Sequence, residues 1–149
     1  MRHPRTWYAI ADGGSARFVE KDAATGAFAT QREFDSADIH SRTRDLGAER
    51  PGRGHESGNS AHHAVEPRVD LHQADKQRFV GEVAAILNAA GAEGAFERLV
   101  LVAPAHALAD LRAGLDAATL AKVTSVLQKD LTHTPNADLA GHFADLSLL

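Results

Sequence analysis

From Arg98 the chain runs Leu99-Val100-Leu101-Val102-Ala103 without a polar side chain, and Pro104 closes the run. A strand with one wet face alternates apolar and polar residues. A strand with no polar phase has to be covered on both sides, as in a parallel sheet. That one segment therefore demands layers above and below it and points to an α/β architecture.

The flanking sequence supplies those layers. Thr6-Trp7-Tyr8-Ala9-Ile10-Ala11 is β-favouring and stops at Asp12-Gly13-Gly14, a tight-turn signal between strand-like runs. Ala16 to Glu20 and Phe28 to Phe34 read as two more strands, so the chain opens as an antiparallel meander. From about Asp70 to Ala90 the period lengthens. Phe79, Val83, Ile86, Leu87 and Ala90 share a helical face with Val80 at its edge, Pro67 and Asp70 stand at the start, and Gly91 reads as the stop. Leu108, Leu111 and Leu115 mark a second helix. Asp116 can cap a short stretch through Leu120, and Val123 to Gln128 reads as a fifth strand. Thr134-Pro135 reads as N-cap and first position of a last helix, with Leu139, Phe143 and Leu146 as its buried stripe.

The order βββ-α-β-α-β-α, with crossovers before the last two strands, is that of the ribonuclease H-like motif. The expectation is one domain over 1–149, built on a five-stranded mixed sheet with helices on both faces. At 149 residues the chain is long enough for one substantial core.

Residues 36–69 interrupt this order. They hold four Gly, two Pro, five Arg and four His and follow neither period. A connection of that length without its own periodicity is usually functional or disordered, and function concentrates on loops. The segment is therefore the first place to look for a binding surface.

Composition removes several classes. The chain has no Cys, which excludes thiol catalysis, disulfides and Cys-based metal centres. The formal net charge of −4 leaves polyanion binding to a local basic patch rather than the whole surface. The N-terminal stretch has no apolar run of signal-peptide kind, and nothing approaches the roughly 18–20 apolar residues of a membrane span. These absences set the expectation of a cytoplasmic protein. No P-loop, dinucleotide fingerprint or GxSxG elbow is present, so no cofactor is expected.

Five segments in order, YAIADGGSARFVE, ERPGRGHESGNSAHHAVEP, ADKQRFVGEVAAIL, LVLVAPAHALADLR and LQKDLTHTP, together resemble the bacterial host attachment protein family across nearly the whole chain. The resemblance implies a role in attachment to host cells. It also implies a likeness to the middle domain of archaeal and eukaryotic peptide release factors, where a Gly-Gly-Gln loop before a helix reaches the peptidyl-transferase centre. Here the corresponding place holds Gly52-Arg53-Gly54-His55, without adjacent glycines and without Gln. Release-factor chemistry does not transfer on those residues; presentation of a loop to RNA or another partner does.

Within the loop, Arg50, Gly52, Arg53, Gly54, His55, Ser57, His62 and His63 are the candidate binding residues. Guanidinium forks match phosphate oxygens, and the glycines allow close backbone approach. Asp45, Glu49, Glu56 and Glu66 offset much of the basic charge. His55, His62 and His63, with His40 and His72 nearby, raise the question of metal. The adjacent His62-His63 lacks the i, i+4 spacing of a helical ligand pair, and no HExxH occurs. No metal ligand is assigned. Asp12 stands where a nuclease of this topology places a carboxylate, yet the fourth strand ends in Ala103-Pro104-Ala105-His106 without an acid, so Asp12 reads as a turn residue. Asp110, Arg112, Lys129 and Asp130 read as surface charges or caps.

The function expected is non-enzymatic: contact with a macromolecular partner through 36–69, with an indirect role in attachment. A ribosome- or RNA-associated factor is the first alternative. A hydrolase using the loop histidines is the second.

Overall fold

The computed structural model of the chain describes residues 4–37, 68–144 and 146–148. Strands β1 (Thr6–Ala11), β2 (Ser15–Lys21) and β3 (Phe28–Asp35) form the antiparallel meander. Helix α1 (Arg68–Ala92) leads to β4 (Arg98–Val102), α2 (Ala105–Gly114) and the short α3 (Ala117–Leu120) lead to β5 (Val123–Leu127), and a 3-10 turn at Asn136–Asp138 precedes α4 (Leu139–Phe143). A two-residue β6 (Ser147–Leu148) follows.

The sheet order is β3-β2-β1-β4-β5-β6. β4 lies parallel to β1, with Ala9 opposite Leu101, and β5 lies parallel to β4. Five strands in the order 3-2-1-4-5 are compatible with the ribonuclease H-like motif. The sheet exceeds the expected five by β6, which pairs antiparallel to β5 through Ser125–Leu148 and Val126–Ser147. Two residues after a helix carry too short a pattern to register as a strand; the open edge of β5 recruits them.

The apolar run of β4 is buried on both faces. Leu99, Leu101 and Ala103 join Trp7, Ala9, Phe18, Phe79, Val83, Leu87, Phe96 and Leu111 in the core under α1–α3. Val100 and Val102 join Tyr8, Ile10, Val19, Leu131, Leu139 and Phe143 on the other face. Helices thus cover both faces, but unequally: among the described residues, the second face has the one-turn α4 and the irregular segment before it.

Two expected termini move. α1 runs past Gly91 to Ala92, and Gly94 takes the left-handed conformation (φ 79°) that ends it. Gly91 instead makes room for Phe96, whose Cζ would lie 3.2 Å from a Cβ there. The last helix begins at Leu139, not at Thr134-Pro135. Arg17 takes the carbonyl of Thr134, so its backbone closes a contact with the sheet rather than starting a helix. Of the expected stripe, Leu139 and Phe143 are buried on α4, while Leu146 lies past the helix end and packs, partly buried, against the same cluster.

Candidate functional site

β1, β3, β4 and β5 all end at the same edge of the sheet. The chain leaves β1 toward β2 on one side and leaves β4 toward β5 on the other, so the carboxyl ends of β1 and β4 form the switch point where open α/β sheets leave a crevice. The crevice is present. One part, of about 390 Å3, is lined by Gly13, Gln73, Lys76, Val80 and the start of α2 from Pro104 to Ala107. A second, of about 600 Å3, continues past Asp12, Gly13, Gly14, Asp35 and Lys76 to Asp130 and His133. A third, of about 380 Å3, reaches Arg17 and Glu33 between Ser15 and Thr132.

The Asp12–Ser15 turn is the floor. Asp12 Oδ1 accepts from the backbone N–H groups of Gly14 and Ser15, each at 2.8 Å, and its other oxygen accepts from Thr132 Oγ1 at 3.1 Å. Burial pushes the Asp12 carboxyl up, but the donors from Gly14, Ser15 and Thr132 outweigh it and hold the group below its ordinary range. Its place in the turn is therefore the one read from Asp-Gly-Gly. A Cβ on Gly13 would sit 2.5 Å from Lys76 Cγ, so the bare glycine lets the Lys76 stem lie across the turn at the cleft.

Arg17 forms the inner wall. It shares the strand face of Val19 and is 8% exposed. Its terminal nitrogens donate to the carbonyls of Thr132 and Thr134. Burial lowers its pKa, and Glu33, its cross-strand partner, opposes that shift.

Arg50, Gly52, Arg53, Gly54, His55, Ser57, His62 and His63 all lie outside the described residues, as do His40, Arg42 and Arg44. What is described is where their segment attaches. The backbone N–H of Ser36 donates to Gly14 O at 2.9 Å, which fixes the departure point on the Asp12–Ser15 turn. The return is through α1, whose Gln73 and Lys76 line the cleft.

The cleft residues Lys76, Arg17, Thr132 and His133 were missed by the sequence reading. Lys76 and His133 carry no local signal. Arg17 did carry one: in β2 it occupies the phase of Val19, and an arginine in an inward phase marks a charge that the fold must satisfy.

Among the described residues no group of three or more His, Asp or Glu side chains stands where it could hold a metal ion. No described helix is long and apolar enough to cross a membrane. The family model described as "protein required for attachment to host cells" matches residues 7–143. No curated protein matches the chain.

Proposed function

The chain belongs to the family of proteins required for attachment to host cells, and we propose that it serves attachment without catalysis, by presenting residues 36–69 to a macromolecular partner from the cleft end of the sheet. One observation supports this above others. Both attachments of the segment, at Ser36 on the Asp12–Ser15 turn and through the first half of α1, converge on the crevice at the β1/β4 switch point. A partner held at that end of the sheet would meet Lys76 and His133, which line the cleft there. In this reading the protein works in the cytoplasm and acts on attachment through translation or regulation, with the ribosome or another RNA as the partner that arginine forks and close-approach glycines suit.

Sucrose-gradient sedimentation of a lysate, blotted for the wild type beside Arg50→Ala/Arg53→Ala, tests it. Wild type travelling with ribosomal subunits while the variant stays at the top is the expected result. Both staying at the top removes the ribosome from the proposal, and recovery of the native protein from the cell surface removes the indirect role.

A further inference from the structure

Between β5 and α4 the chain crosses the second face of the sheet as residues 128–138, and its attachments are unlike those of any strand. The main-chain N–H groups of Lys129, Thr134 and Asp138 donate to Leu127, Leu131 and Pro135, and that of Thr132 donates to Asp130 Oδ1 at 3.1 Å. Among the described residues, no N–H of the segment joins the sheet ladder. Side chains hold it instead. Arg17 takes the carbonyls of Thr132 and Thr134, Asp12 accepts from the Thr132 hydroxyl, and Asn136 Nδ2 donates to Thr30 Oγ1 at 3.0 Å. Leu131 is the only residue of 128–138 that is buried.

Arg17 makes this arrangement a balance. Its guanidinium gains two charge-assisted bonds when the segment is down. It also loses its water, and Nε has no partner in that state. Opening reverses both: the carbonyls are lost and the cation is rehydrated. Opening also withdraws Leu131 from the second-face core, a single apolar side chain, whereas opening the rest of the sheet would expose the whole aromatic and aliphatic core with no cation rehydrated in return.

We propose that residues 128–138 are a strap that opens as a unit while the sheet stays folded, and that Arg17 is its latch. Asp130, Thr132 and His133 are on the strap and form one wall of the cleft, so opening widens the cleft and frees the Arg17 fork beside it. The consequence for a partner rests on the function proposed above; the opening itself does not.

Native-state hydrogen exchange of the whole chain, followed with low urea, tests the strap. Amides of Thr132, Thr134 and Asp138, each hydrogen-bonded in the closed strap, should exchange at least about tenfold faster than those of Ala9 and Leu101, with little urea dependence, as local opening requires. Arg17→Lys keeps the charge and loses the fork, and should speed strap exchange further while leaving Ala9 and Leu101 unchanged. Asn136→Ala should do so to a lesser degree. Should Arg17→Lys fail to fold, the wild-type urea dependence decides. Strap amides with the protection and urea slope of Ala9 would show opening only by global unfolding and would overturn the proposal. A normal strap result with no ribosome co-sedimentation would leave the strap standing and remove only the partner.

Discussion

Asp12 answers to four donors, the backbone N–H groups of Gly14 and Ser15 and the hydroxyls of Ser15 and Thr132, and its ionised form is the one they stabilise. Because its folded pKa lies below the unfolded value of about 3.9, the carboxylate contributes stability that is fully present above about pH 5. That contribution is lost as pH falls through the unfolded and then the folded value. Asp12→Asn keeps an acceptor for Gly14 and Ser15 but removes the charge. It should cost about 1 kcal/mol at pH 7 and give a shallower acid limb in urea denaturation run from pH 7 to pH 3. An acid limb unchanged from wild type would show that these bonds do not discriminate between the ionised and neutral forms. Thr132→Val removes the hydroxyl that Asp12 and Asp130 both approach, at 3.1 and 2.6 Å. A loss of about 0.5–1.5 kcal/mol, measured by urea, is expected. Asp12 was legible because Asp-Gly-Gly is a local signal. Thr132 was not, because its partner lies 120 residues away and nothing in the sequence joins them.

Among elements, α1 and α2 meet closely at Gly114. A Cβ on Gly114 would stand 2.7 Å from Ala84 Cβ, and neither atom is at the end of a flexible side chain. Gly114→Ala therefore overpacks a seam that can relieve the clash only by moving one helix, at about 1–3 kcal/mol. Adding Ala84→Gly restores the space but weakens the α1 interior by about 1 kcal/mol. In a double-mutant cycle the pair should be more stable than the sum of the singles by at least about 0.5 kcal/mol, while additive losses would show that the helices do not meet there. α1 and α2 themselves were readable, since each carries its stripe: Phe79, Val83 and Leu87 in one, Leu108 and Leu111 in the other. The C-terminal helix was misplaced for a physical reason. Thr-Pro is a good helix start in isolation, but the carbonyl that would have begun it is held by a buried arginine on another strand. Tertiary contact overrode a local preference.

At the scale of the whole molecule, the sheet order follows from features that any chain of this pattern shows: a closed hairpin, a doubly buried strand, and connections long enough only for crossovers. Which residues then line the end of the sheet depends on how α1 and the strap lie across it, and periodicity carries no information about that. The charge balance bears on the partner directly. A net −4 repels a polyanion at long range, so any RNA contact has to be local and basic, and Arg50 and Arg53 are the arginines that the glycines of the segment flank. Each phosphate contact on a single strand contributes about 0.7 to the slope of log affinity against log salt. If both arginines reach phosphate, Arg50→Ala/Arg53→Ala should flatten that slope by about 1.4, read by filter binding between 50 and 200 mM salt. Weaker binding with an unchanged slope would place the arginines in the fold of the segment rather than on RNA. A wild type whose affinity for RNA does not vary with salt would turn the search to a protein partner at the same end of the sheet, where the cleft lining holds both acids, Asp35 and Asp130, and the cation of Lys76.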